Sequence, residues 1–370
     1  MTLVASAATA LVVREARPDE LDAVGRLTRE SFAAGPYGHL PISPERERAE
    51  RDATWRARAG IVLVATEERE ATGSVGGPGV AADAPRLLGS LTLVRAGAEG
   101  ALVARADELE VRFLVVAPDA RGRGVANALL DAALDVARAA GLSAVVLDTG
   151  AGNGPANRLY QRFGFERERD RDRVAPRVGR ELVYRYDLEP AAGAVRVRLV
   201  RDEELDAVGE LTERAYASDY ELSEGYRATL RDVRGRARAD EVWVAVDART
   251  GELLGTVWTP RPGSTLSPVA REDEMDFRLL GVAPGARGRG IGELLVRHAI
   301  GRAQDRGAAR VVLNTGPEMV GAHRLYERLG FEHLTEREGP TEVGPGVFVD
   351  LLAYGLAVDE TGPVEEDARR

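Results

Sequence analysis

Two short glycine-rich turns hold the residues best suited to grip an anion. They read Arg121-Gly122-Arg123-Gly124-Val125-Ala126 and Arg287-Gly288-Arg289-Gly290-Ile291-Gly292. Each follows an apolar run ending at Ala-Pro and precedes a run with apolar residues at helical spacing. Glycines at a strand-to-helix turn let backbone N–H groups approach a ligand closely. The helix start adds unpaired donors and the positive end of its dipole, which suits a pyrophosphate. A tight surface turn with solvated arginines has the same letters, so the turn alone does not decide. Its spacing is not the G-x-G-x-x-G of a dinucleotide fold.

Two tyrosines, Tyr160 and Tyr326, each sit in Arg-Leu-Tyr shortly before Gly-Phe. A tyrosine on a helix can be core with a satisfied hydroxyl or a proton donor. Glu110 and Asp276 each lie eleven residues before the first arginine of their turn, with Glu108 and Glu274 two residues earlier on the same strand face. Such a carboxylate can serve as a general base or simply be solvated at a strand start. The four histidines show no metal-ligand spacing, so no metal is expected.

Absences narrow the chemistry further. The chain has no cysteine, and all 50 of its basic residues are arginine. Disulfides, cysteine metal sites and an acyl-cysteine intermediate are excluded, as are a P-loop, a lysine Schiff base and a Ser–Lys dyad. The net charge is −10, which argues against a nucleic-acid partner. The longest apolar stretch, Leu3 to Val13, is about half of the ~20 residues a membrane span needs and lacks a basic flank. A cytoplasmic protein with no membrane contact is expected. The charged runs Glu45 to Arg51 and Glu166 to Arg173 read as solvated faces.

The chain is one unit written twice. Glu20-Leu21-Asp22-Ala23-Val24-Gly25 recurs at 204–209, an offset of 184. Arg56-Ala57-Arg58-Ala59 recurs at an offset of 180, and the glycine-rich turn and the Arg-Leu-Tyr…Gly-Phe segment both recur at 166. The falling offset places insertions in the first copy, the larger one containing Thr72-Gly73-Ser74-Val75-Gly76-Gly77-Pro78-Gly79, a loop composition. Two domains follow, 10–188 and 195–355, with a linker at 189–194 and an acidic tail at 356–370. Within the first copy, strands are predicted at Leu11 to Arg14, Ile61 to Ala65, Leu88 to Val94, Val111 to Val116, Ala144 to Leu147 and Leu182 to Leu188. Helices are predicted after Pro18, from Val125 to Ala140 and from Pro155 to Phe163. Strands and helices mix without strict alternation, so each domain is expected to be α+β with a mixed, mostly antiparallel sheet flanked by helices.

These segments together resemble the GNAT acyltransferase superfamily. Arg121, Gly124 and Ala126, and Arg287, Gly290 and Gly292, match its R/Q-x-x-G-x-G/A motif; Asn153 to Tyr160 with Gly164-Phe165 resembles its N-x-x-A-x-x-L-Y…G-F segment, and Ala322 to Tyr326 with Gly330-Phe331 repeats it. The resemblance implies acetyl-CoA as co-substrate and a fourth strand splayed from the fifth. Pantetheine would pair with the backbone of Leu114 and Val116, and of Leu280 and Val282. The pyrophosphate would rest on the amides of Arg121, Gly122, Arg123, Gly124, Val125 and Ala126, and of Arg287, Gly288, Arg289, Gly290, Ile291 and Gly292, with Asn153 nearby. Tyr160 and Tyr326 hold the position of the acid that protonates the departing thiolate, and Glu110 and Asp276 that of a general base in some members. The implied function is direct transfer of an acetyl group to an amine of a small molecule or peptide. Tandem forms resemble both mycothiol synthases and antibiotic or small-amine acetyltransferases, and a non-catalytic acyl-CoA-binding pair is the alternative of a different class. A monomer or homodimer is expected, and the second copy, with shorter loops, is expected to be the more active.

Overall fold

The computed structural model describes residues 10–68, 86–344 and 347–358. The chain divides into two compact units, Met1–Pro190 and Ala191–Arg370. The predicted loop at 72–79 lies outside the described residues.

The first unit runs β1 (Ala10–Glu15), α1 (Leu21–Ala33), α2 (Pro44–Arg51), α3 (Ala53–Ala59), β2 (Ile61–Glu68), β3 (Leu87–Arg95) and β4 (Glu108–Val116). It continues through α4 (Val125–Ala139), β5 (Ala144–Gly150), α5 (Gly154–Phe163), β6 (Glu166–Arg167), β7 (Arg173–Ala175) and β8 (Gly179–Asp187). One sheet has the order β1-β2-β3-β4-β5-β8-β6, with β7 added to β8. Every pairing is antiparallel except β4 with β5. That parallel pair needs a crossover, and α4 supplies it. Val125, Leu129, Leu130, Ala133, Leu134 and Ala137 recur at helical spacing and are buried, so α4 packs on the sheet along one stripe. Gly141, at φ 64°, turns the chain out of the helix.

The second unit repeats this plan: β9 (Val195–Leu199), α6 (Leu205–Ala217), α7 (Glu224–Arg231), α8 (Val233–Arg236), β10 (Glu241–Asp247), β11 (Leu253–Thr259), β12 (Glu274–Asp276) and β13 (Arg278–Val282). Then come α9 (Ile291–Arg306), β14 (Arg310–Thr315), α10 (Val320–Arg328), β15 (Glu332–His333), β16 (Gly339–Gly344) and β17 (Val347–Ala357). Its strands form two sheets, β13-β11-β10-β9 and β12-β14-β17-β15 with β16 on β17. Ile291, Leu295, Val296, Ala299 and Ala303 of α9 pack into a core with Trp243, Phe277, Tyr326 and Phe331. Strand β17 continues through Ala357, two residues past the predicted domain end.

Two expectations need correction. The run Glu45 to Arg51 is helix α2, and its Glu50 is fully buried, accepting from Arg46 at 2.8 Å and paired with Arg29 at 3.4 Å. The run Glu166 to Arg173 holds Arg167 and Arg171 in ion pairs with Asp172 (2.7 Å) and Glu108 (2.8 Å), all four side chains largely buried. Alternating signs here record internal pairing, not a solvated face.

Candidate active site

The site begins with a defect in the fourth strand. Among the described residues, two non-glycine residues have positive φ, Phe113 (54°) and Leu279 (51°), and they are equivalent in the repeat. Strand β3 pairs Ser90 with Val115 but Thr92 with Arg112, so two residues of β4 stand opposite Leu91. In the second unit Thr256 pairs with Gly281 and Trp258 with Arg278, which leaves Leu279 and Leu280 opposite Val257. A bulge of this kind bends its strand and ends regular pairing. Accordingly β4 pairs with β5 only from Glu108 to Val111 and then leaves it. In the second unit the break is complete: β12 stays with β14, while β13 belongs to the other sheet.

The parted strands expose an unpaired edge. Ala117 N–H donates to Leu88 O, and Ala283 N–H to Leu254 O. Backbone groups alternate along an extended strand, so the N–H groups of Leu114 and Val116, and of Leu280 and Val282, turn away from that neighbour toward the gap. Their side chains pack partly buried on the two cores.

The gap leads to the glycine-rich turns. Gly122, Gly124, Gly288 and Gly290 have φ of 74°, 79°, 73° and 77°. A Cβ at any of them would meet nothing within 4 Å, so these glycines serve backbone conformation and an open approach. Gly124 and Gly290 are the N-caps of α4 and α9, with no side chain capping either helix. Their first-turn N–H groups are therefore left to a ligand or solvent. Val125 and Ile291 anchor the helices by burial of their side chains. The arginines do less than expected for phosphate. Arg287 folds back onto the end of α6, donating to Ala215 O (2.9 Å), Ser218 Oγ (2.7 Å) and Asp219 (2.8 Å). Arg123 pairs with Glu67, while Arg121 and Arg289 are exposed. Asn153 caps α5, its side chain accepting from Ala156 N–H.

In the second unit these parts surround a cavity of about 650 Å³. Leu279 to Val282 form one wall and Gly288, Gly290, Ile291 and Gly292 the end at the glycine-rich turn, with Tyr216, Tyr220, Arg278, Asn314, Met319 and Tyr326 among the other lining residues. Tyr326 packs against Phe277 and Phe331, with ring centres 6.0 and 5.8 Å apart. Burial raises its ionisation above that of a free tyrosine, so it keeps its proton at neutral pH. Tyr160 is equally buried against Phe165 and Tyr184 and is raised by burial and then by Asp148.

The carboxylates proposed as bases are occupied elsewhere. Glu110 is fully buried and accepts from the N–H groups of Leu102 (2.9 Å), Val103 (2.8 Å) and Ala104 (2.9 Å). Asp276, also fully buried, accepts from Leu266 N–H (2.9 Å) and from the Ser267 hydroxyl (2.8 Å). Each pins the loop that precedes its strand, and Asp276 does not line the cavity. The general-base expectation does not fit this placement, because their lone pairs are spent on the loop.

The first unit fills the corresponding corner. Arg112, one residue past the last β4–β5 pair, donates to Asp148 of β5 at 2.7 Å and to Glu110 at 3.2 Å. Arg173 also reaches Asp148, at 3.3 Å. Three guanidinium groups, of Arg46, Arg56 and Arg112, lie 4.9 to 5.6 Å from the Phe113 ring. Tyr37, on the loop after α1, accepts from Gly152 N–H at 2.7 Å, and Arg177 holds that loop by Tyr37 O (2.6 Å) and Pro41 O (2.8 Å). Arg112, Arg278 and the two bulge residues were not singled out from the sequence. The available signal was the repeat itself, which aligns Arg112-Phe113-Leu114 with Arg278-Leu279-Leu280.

Among the described residues no group of three His, Cys, Asp or Glu side chains could hold a metal ion, and no helix is long and apolar enough to cross a membrane. Comparison with known proteins matches the chain to the acetyltransferase (GNAT) family twice, over residues 29–165 and 205–331. It is 34% identical over 227 residues to a mycothiol acetyltransferase of Cellulomonas flavigena, covering 59% of this chain and 63% of that protein. The chain thus spans less than two thirds of that relative's length. A mycothiol acetyltransferase of a Parafrankia species is 33% identical over 240 residues, 59% of this chain and 71% of that one. A crystal structure of a GNAT-family acetyltransferase from Staphylococcus aureus aligns at 14% identity with a TM-score of 0.36, covering 45% of this chain and all of that one. With both halves matched, the chain belongs to the acetyltransferase (GNAT) family.

Proposed function

We propose that the chain transfers an acetyl group from acetyl-CoA to a primary amine in the cavity of its second unit, as a mycothiol acetyltransferase. The observation that carries this reading is the bulged strand β13, whose free edge opens onto a cavity bounded by the glycine-rich turn and Tyr326. Pantetheine adds to that edge as an extra strand. The pyrophosphate rests on the N–H groups from Arg287 to Gly292. The amine, in its neutral form, attacks the thioester carbonyl: a C–N bond forms and the C–S bond breaks. The N–H of Leu280 faces the carbonyl oxygen as charge develops there. The departing thiolate takes the proton of the Tyr326 hydroxyl, which burial keeps in place until then. The cavity's carboxylates, Asp219 and Glu293, are already paired with Arg287 and Arg297, so the amine proton leaves to water, and water returns a proton to the Tyr326 oxygen.

The named relatives support mycothiol chemistry over other acceptors. The test is release of free CoA from acetyl-CoA with a panel of amines that includes mycothiol lacking its acetyl group. Release with that amine at least ~10-fold above the other amines is expected, the margin a positioned site commonly gives. Release with other amines only would remove the mycothiol assignment, and binding of acetyl-CoA with no release from any amine would leave an acyl-CoA-binding module.

A further inference from the structure

The two units carry an arginine at the same place, just before the strand bulge, but treat it oppositely. Arg112 is consumed by Asp148 and Glu110. In the second unit Asn314 holds the position of Asp148, and both Arg278 and Asn314 line the cavity. Among the described residues no carboxylate lies within ion-pair distance of Arg278; its one hydrogen bond is a long one, 3.5 Å, to Leu266 O. A half-buried guanidinium has five donors and gains most from oxygen acceptors placed to match its fork. Among the described residues only Leu266 O, at 3.5 Å, accepts from it.

We propose that Arg278 is the acceptor-recognition residue: it takes an oxygen of the acceptor that lies close to the reacting amine, a carbonyl, hydroxyl or carboxylate oxygen. This rests on the proposed acetyl transfer and narrows its substrate class. Arg278 stands two residues from Leu280, about 7 Å along an extended strand and less across a bulge. An acceptor held by its oxygen at Arg278 therefore brings an amine a few bonds away to the carbonyl carbon beside the Leu280 N–H. The positive charge has a second consequence. A guanidinium beside an ammonium favours the neutral amine, which is the form that attacks. The Asn at 314 is what keeps Arg278 available, since an Asp there would reproduce the first unit's ion pair.

The test uses the full chain with acetyl-CoA and a series of primary amines that differ in the group next to the amine: amide carbonyl, carboxylate, hydroxyl or hydrogen. The wild type is expected to prefer the oxygen-bearing amines by about tenfold or more in kcat/KM, one to two hydrogen bonds' worth. Asn314→Asp and Arg278→Gln are each expected to collapse that preference through a raised acceptor KM, while the acetyl-CoA Kd stays within about twofold and melting stays cooperative. Arg278→Lys keeps the charge but not the fork and is expected to lie between. An undiminished preference in folded Arg278→Gln or Arg278→Lys would overturn the proposal. Equal turnover of all amines by the wild type would overturn it while leaving acetyl transfer intact. Absence of CoA release with every amine would overturn the acetyl transfer reading and this one together.

Discussion

Where the fourth strand leaves the fifth, the first unit pairs Arg112 with Asp148, and the second has Arg278 and Asn314 at the same two positions. Around that single exchange the two corners differ throughout. The first is packed: Phe113 sits among three guanidinium groups, Arg56 is buried with hydrogen bonds to Thr28 and Thr92, and Tyr37 is tied to the turn after β5. In the second, Leu279 lines a cavity, and Leu230 stands where the first has the buried carboxylate of Glu50. The same backbone device, a bulge with positive φ, is kept in both. A duplicated fold can thus preserve the strained geometry that creates an open edge while one copy refills the corner with ion pairs. Strain of this sort persists only where surrounding packing enforces it.

The largest effect should come from the glycine-rich turns. Gly290→Glu places a Cβ at φ 77° and a carboxylate where the pyrophosphate would rest. Removing about 3 kcal/mol of contacts corresponds to roughly 100-fold in acetyl-CoA affinity. Gly124→Glu makes the same change in the first unit and should cost the intact chain far less turnover. Titration of acetyl-CoA into both variants, with CoA release measured alongside, checks this. Equal losses would break the contrast between the units.

Next is the pair of tyrosines. Tyr326→Phe keeps the ring contacts with Phe277 and Phe331 and removes the proton donor. A loss of at least ~10-fold in kcat is expected, within the reach of general acid catalysis, with little change in acetyl-CoA Kd. Tyr160→Phe should lose less. Unaltered kcat in Tyr326→Phe would return that residue to a packing role.

The comparison also has a stability face. The side chain of Asp148 is largely buried and holds Arg112 and Arg173. Asp148→Asn should destabilise the first unit by about 1–3 kcal/mol, because Arg112 keeps Glu110 as a remaining partner. Urea unfolding followed by circular dichroism would show an earlier transition for that unit. A stability equal to wild type would mean that the ion pair does not hold the corner closed.

How far these features were readable from the sequence depends on what fixes them. The repeat, the turns and the tyrosines were legible because glycine at positive φ and a recurring Leu-Tyr…Gly-Phe are properties of the letters. The bulges were not, since neither Phe113 nor Leu279 favours the left-handed region and only packing of the finished sheet imposes it. The hydrogen bonds of Glu110 and Asp276 are not legible for a similar reason. The amides they hold, at Leu102 to Ala104 and at Leu266, meet the strand only once the preceding loop has folded back. Helix α2 does not show in the periodicity because the residue it buries is a glutamate, which leaves no apolar stripe to count.

The smallest predicted effect separates two buried carboxylates, one in each unit, by pH. Asp276 is buried with Ser267 and the Leu266 amide, and burial raises its pKa above the ordinary aspartate value. In the window between 3.8 and that raised value the folded state binds more protons than the unfolded one. This group's contribution to stability therefore grows as pH falls through the window and is lost as pH rises out of it. Asp276→Asn removes the titration. The stability of wild type minus that of the variant should then increase on acidification from pH 7 toward 4, measured by denaturant unfolding at several pH values. Glu20 in the first unit runs the other way: Arg14 and the Arg17 amide lower it to about 2, so its contribution is present above 4.5 and is lost as pH falls toward 2. Glu20→Gln should accordingly narrow its deficit against wild type under acid. If the Asp276→Asn difference also narrowed, the carboxyl would be held as an anion in the folded state, and the loop amides, not burial, would govern it.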